Sequence, residues 1–183
     1  MNMIQIILFI LIIFIVFIIL LYNKLVRLNN RTKNAYSSID NQLKRRNDLI
    51  PNLIEVVKGY AAYEKETLNT IIESRNNMLK DTTLKEKSID SDKLSGALNH
   101  LFALSESYPD LKANKTFENL QIELVGTEDK IAYARQFYND CVQLFNEKIL
   151  VFPNNIFAKT LKFTEKEYFK VDDKDKELIE VKF

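Results

Sequence analysis

Apolar residues fall along this chain in distinct regimes. Residues 4–22, IQIILFILIIFIVFIILLY, are interrupted only by Gln5. At roughly 1.5 Å rise per residue, a helix over this run is long enough to cross the hydrocarbon core of a bilayer. From there Leu25, Leu28, Ala35, Ile39, Leu43, Ile50, Leu53, Val57, Ala61, Leu68, Ile71 and Ile72 recur at helical steps and predict one apolar stripe. A second stripe, Leu120, Leu124, Ile131, Ala134, Tyr138, Val142, Phe145 and Ile149, predicts a long helix. Thr116 is a candidate N-cap for it, Asn119 replaces the usual capping-box acid, and Pro153 ends it. Between the stripes, DTTLKEKSIDSDKLS has no sustained periodicity, so a loop is expected from Lys80 to about Ser95. A short helix over about residues 94–107 follows and stops before Pro109. After Pro153 the pattern weakens, and KVDDKDKELIEVKF is a charged tail expected to be mobile.

Pro51 interrupts the first stripe without shifting its phase, as in a kinked continuous helix. Asp48 as an N-cap, with Pro51 in a new first turn, argues instead for a break, and the balance favours the break. Composition sharpens the class. With 46% apolar residues but only three glycines and three prolines in 183 residues, the chain lacks the turn residues of a many-stranded fold. The expected fold is therefore all-α: a single N-terminal transmembrane helix (1–23), an antiparallel helical bundle (24–169) and the charged tail (170–183).

Charge sets the orientation. The apolar run has no basic region before it and no small-residue cleavage site after it, so the helix is expected to stay attached. Lys24, Arg27, Arg31 and Lys33 follow it, with no acidic residue before Asp40. The positive-inside rule then places the N-terminus outside and the remainder in the cytoplasm. The net charge of +1, without basic residues interleaved with aromatics, argues against a nucleic-acid partner. One cysteine, Cys141, and one histidine, His100, exclude a disulfide framework and a zinc site built from repeated ligands. There is no glycine-rich phosphate loop, and no cofactor or metal is indicated.

The candidate chemistry lies in charges that fall inside the apolar stripe. Arg46, Glu64 and Arg75 sit on the face that must be buried, and charges there need partners. Arg46 and Glu64 are roughly 27 Å apart along one helix, so the partners must come from elsewhere. An antiparallel register against the second stripe would set Glu64 beside Arg135 and Arg75 beside Glu123. Arg45, Arg46, Asp48, Pro51 and Asn52 form one connected corner, where carbonyls freed by the proline near Arg46 and Asn47 need polar partners. Gly59 and Gly126 lie opposite their stripes, so either an element packs closely there or their helical cost is tolerated. Tyr138 and Asn139 offer groups that could tie helices together.

LYNKLVRLNNRTKNAYSSIDNQLKRRNDLIPNLIEVVKGYAAYEKETL, directly after the apolar run, and LQIELVGTEDKIAYARQFYNDCVQLFNEKILVFPNNIFA resemble the LemA family of bacterial membrane proteins. The dispersed matches include Tyr22, Asn23, Asp48, Pro51, Gly59, Glu64, Arg75, Glu128, Arg135, Tyr138 and Asn139. Tyr63 stands where members usually carry histidine before Glu64, which weakens a His–Glu metal or acid–base site. The resemblance implies a cytoplasmic helical bundle tethered to the bacterial cell membrane, supplies no catalytic residues, and suggests an HtpX-type membrane protease as one partner class. Two functions remain open: a non-enzymatic interaction or scaffold module, and a small-molecule sensor or enzyme using Glu64, Glu128, Arg75 and Arg135 around a bundle cavity. The topology has a direct check: protease added to intact spheroplasts is expected to leave residues 24–183 uncut. Digestion without lysis would put that domain on the other side.

Overall fold

The computed structural model describes residues 2–60, 64–80 and 83–169; Tyr63 and the charged tail lie outside the described residues. Among those described there are six helices and no strand: α1 (Met3–Lys58), α2 (Lys65–Met78), α3 (Leu84–Ser105), α4 (Pro109–Lys112), α5 (Lys115–Leu150) and α6 (Asn154–Thr160). They divide into two compact units. The first gathers the described residues of Met1–Ser37 and Gln136–Tyr168, the second those of Ser38–Arg135 and Phe169–Phe183.

In the first unit Leu21 and Leu25 of α1 bury against Phe145 and Ile149 of α5 and Ala158 of α6, with Leu28, Phe157 and Phe163 at the margin. The turn after α6 explains how the chain comes back. Lys162 takes a left-handed backbone (φ 57°), its N–H donates to the Lys159 carbonyl (3.1 Å), and Phe163 N–H reaches the Ala158 carbonyl (2.9 Å). This paired arrangement satisfies the last carbonyls of the helix and reverses the chain. The returning segment is pinned by its backbone. Asn146 Nδ2 donates to the Lys166 carbonyl (2.9 Å), Asn146 Oδ1 accepts from Lys166 N–H (2.8 Å), and the Tyr138 hydroxyl donates to the Glu167 carbonyl (2.9 Å).

The second unit buries Ile39, Leu43, Ile50, Leu53 and Val57 of α1 with Leu68 and Ile71 of α2, Leu94 and Leu101 of α3, and Phe117, Leu124 and Ile131 of α5. Here the pattern needs three corrections. The break expected at Pro51 is absent, since α1 runs through it to Lys58. Proline removes the N–H that would have bonded the carbonyl four residues back, that of Asn47. The Arg75 Nε donates to that carbonyl instead (3.0 Å), while buried Ile50, Leu53 and Val57 keep the stripe in phase.

The expected loop between Lys80 and Ser95 is mostly α3. Thr83 accepts from Glu86 N–H (3.2 Å) and Glu86 returns the bond to Thr83 N–H (3.0 Å), a reciprocal cap that starts the helix. The N-cap of α5 is Asn114 rather than Thr116, because its Oδ1 accepts from Thr116 N–H (2.9 Å) and Phe117 N–H (3.1 Å). Of the two readings of the glycines, close packing within the chain is not found among the described residues. Nothing lies within 4 Å of where a Gly126 side chain would start, and Gly59 follows the last residue of α1, facing only the Val56 carbonyl of its own helix.

Arg75 thus acts as a substitute donor for the proline. Arg75→Met is expected to cost about 1–3 kcal/mol by leaving a buried carbonyl unpaired. In a Pro51→Ala background, where residue 51 regains its N–H, the same change should cost clearly less. Urea unfolding in detergent micelles measures both; equal costs would refute the substitution.

Candidate functional site: a buried ion-pair network

Arg46 is a fully buried side chain on α1 of the second unit, at 0% exposure. Its Nη1 donates to Glu128 Oε2 on α5 (2.8 Å) and to Ser95 Oγ on α3 (2.8 Å). Ser95 Oγ in turn donates to Glu128 Oε1 (2.6 Å), which closes a three-membered ring of bonds. The Nη2 donates to Ser91 Oγ (2.8 Å) and lies near the Ser91 carbonyl (3.4 Å) and the Met78 sulfur (3.5 Å). Ser91 Oγ also accepts from Arg135 Nη2, whose companion Nη1 pairs with Asp92 Oδ1 at 2.6 Å. Phe169 covers the Arg135 guanidinium, with the ring centroid 4.6 Å from its carbon. Two arginines, two carboxylates and two serines therefore form one neutral network.

Burial pulls the Arg46 guanidinium below the ordinary arginine value, and the nearby Glu128 charge opposes that shift. Arginine starts so high that the group stays cationic and must be neutralised in place. Each Nη of the two guanidiniums has an internal partner, whereas buried Arg46 Nε, Arg135 Nε and Asp92 Oδ2 find none among the described residues. Such an arrangement can fix the geometry of α1, α3 and α5.

The remaining candidates lie elsewhere. The Glu64–Arg135 and Arg75–Glu123 pairings are not formed: Glu64 accepts from the Tyr108 hydroxyl (2.9 Å), and Glu123 stands 3.8 Å from Arg45. The register failed because α2 packs on α3, and α3 supplies the partner that α5 needs for Arg135. Hydrogen bonding to Glu64 holds the Tyr108 hydroxyl above the ordinary tyrosine value. Asp48, Asn52 and Gly59 are exposed. Asp48 lines a groove with Asp40, Lys44 and Lys87, where Lys87 pairs with Asp40 at 2.9 Å. Tyr138 and the half-buried Asn139 belong to the first unit, where desolvation raises the Tyr138 hydroxyl and Tyr36 packs 5.8 Å from its ring. Ser91, Asp92 and Ser95 went unrecognised because their segment looked like a loop. The Thr83-x-x-Glu86 spacing was the available signal.

A family model described as the LemA family matches residues 35–183. Protein LemA of Metamycoplasma hominis is 34% identical over 143 residues, covering 76% of this chain and 64% of the relative. Magnetosome protein MamQ 2 of Paramagnetospirillum magneticum is 26% identical over 176 residues, with 81% and 64% covered. Magnetosome protein MamQ of Magnetospirillum gryphiswaldense is 24% identical over a stretch of the same length and coverage. The chain spans 64% of the length of these curated relatives.

Removing one partner of a fully buried pair costs about 3–5 kcal/mol, but the Glu128 side chain keeps 36% of its surface in water. Glu128→Gln is therefore expected to cost about 2 kcal/mol in urea unfolding. Combined with Arg46→Met it should lose clearly less than the sum of the two, because both remove one network. Glu64→Gln and Arg135→Met, by contrast, should add independently.

Proposed function

Since the chain belongs to the LemA family, we propose that it is a membrane-anchored, non-enzymatic interaction or scaffold module held at the cytoplasmic face of a bacterial cell membrane. The exposure of α1 supports the anchor. From Met3 to Phe17 no large apolar side chain is less than 41% exposed, whereas the core helix of a soluble domain would bury such a run. Lys24, Arg27, Arg31 and Lys33 directly after the run favour an outside N-terminus.

One observation carries the interaction role: a row of exposed apolar residues on the second-unit part of α5. Ile122, Val125 and Tyr133 are 63%, 48% and 72% exposed, and Gly126 between them leaves the helix backbone bare on that side. These positions share one face at helical spacing, and an unpartnered apolar face of this kind is expected where a protein partner docks. Asp129 stands within the row, and Ser38, Gln42 and Lys130 line the groove beside it and would form a polar rim. An HtpX-type membrane protease is the partner class suggested by the family resemblance. The sensor or enzyme reading needs Glu64, Glu128, Arg75 and Arg135 around one cavity, whereas Glu64 bonds Tyr108, Arg75 bonds the Asn47 carbonyl, and Glu128 and Arg135 belong to the Arg46 network.

A photo-crosslinking residue at Tyr133 in the full chain, in cells, is expected to capture a protein partner that the same residue at exposed His100 of α3 does not. Ile122→Asp should abolish the capture. Equal capture at both positions, or none at Tyr133, would remove this face as the docking site.

A further inference from the structure

The corner joining α5 to α6 in the first unit is apolar and uncovered. Leu150, Val151 and Ile156 are each more than half exposed, and Phe152 is 74% exposed. Scattered single apolar residues on a surface need no explanation, but four within seven residues, at one corner, do. The corner's place beside α1 indicates what covers it. Phe157 of α6 packs edge-on against Phe17, with ring centroids 6.4 Å apart. Lys148 and Asn154 line a groove with Phe17, Leu20, Leu21, Lys24 and Leu25. Phe17 lies five residues before the end of the apolar run at Tyr22, or roughly 7.5 Å inside it at the helical rise. Interfacial apolar elements insert about 5–10 Å below the headgroups.

We infer that the α5–α6 corner, residues 150–157, inserts into the cytoplasmic leaflet beside the spanning helix as a second, monotopic membrane contact. This rests on the anchored reading given above. Several polar groups of the corner are paired internally, as that depth requires, although buried Asn155 Oδ1 has no partner among the described residues. Val151 N–H bonds the Glu147 carbonyl and Asn155 N–H the Val151 carbonyl (both 3.1 Å). Pro153 has no N–H to satisfy, and the buried Asn154 amide donates to the Lys148 carbonyl (3.1 Å). Lys24, Lys148, Lys159 and Lys162 supply cationic heads on long stems that can reach the phosphates of anionic lipids.

The chain contains no tryptophan, so single substitutions report one site each. The full-length variants Phe152→Trp, Ile156→Trp, Ile10→Trp in the span and Tyr168→Trp on the returning segment would be reconstituted in phosphatidylcholine–phosphatidylglycerol vesicles carrying brominated acyl chains. Tryptophan at 152 and 156 is expected to lose about half of its emission, as at position 10, because bromine on the acyl chains reaches residues at interfacial depth. Tyr168→Trp should lose almost none. If position 10 is quenched while 152 and 156 behave like 168, the corner is not in lipid and the inference fails although the anchor stands. Blue-shifted but unquenched emission at 152 and 156 would assign the corner to protein, including a second copy, and also overturns it. Absence of quenching at position 10 would remove the anchored reading itself, and this inference with it.

Discussion

A charge that cannot leave the core organises the second unit. Arg46 has no access to water, so α1 can pack only where other helices bring oxygens to it: Glu128 from α5 and two serines from α3. Apolar packing alone tolerates some sliding of one helix along another, whereas a guanidinium with fixed donor directions does not. The next residue adds a second demand. The Asn47 carbonyl, released by Pro51, accepts from Arg75 of α2. Two consecutive residues of α1 therefore tie it to three other helices, one through its side chain and one through its backbone.

This economy explains features that look costly in isolation. A proline within a long helix sacrifices a bond, but here the freed acceptor becomes the docking point for α2. A buried arginine is expensive to desolvate, yet the network around it is neutral as a whole, with Asp92 matching Arg135 and Glu128 matching Arg46. Ser91 accepts from both guanidiniums and so holds two like charges at one hydroxyl. Its small side chain is what lets both approach.

The parts of this arrangement that were legible in the chain are those carried by apolar periodicity. The α5 stripe is buried at Leu124, Ile131, Ala134, Tyr138, Val142, Phe145 and Ile149, and Arg46 is buried where its place in the first stripe put it. The demand for a polar partner near Asn47 was also visible, because proline chemistry is local. The partner was not, since it depends on which helix lies alongside. The first half of α3 is hidden for a definite reason: it buries Ser88, Asp90 and Ser91, and a helix that turns serines inward has no clean apolar stripe to detect. Without that half, which carries Asp92, Arg135 has no visible neighbour but α2, and the wrong register follows.

Asn146 carries a different kind of consequence. It grips residue 166 by both its N–H and its carbonyl, as an adjacent strand would, and makes no use of that residue's side chain in doing so. Asn146 thus places no demand on the side chain of residue 166, which lies over the Phe145 ring 5.9 Å from its centroid, but it does constrain the count of residues from the Lys162 turn. A one-residue insertion or deletion between Phe163 and Lys166 would move both backbone groups out of reach together. For the grip of Asn146 it is the length of that short segment that matters.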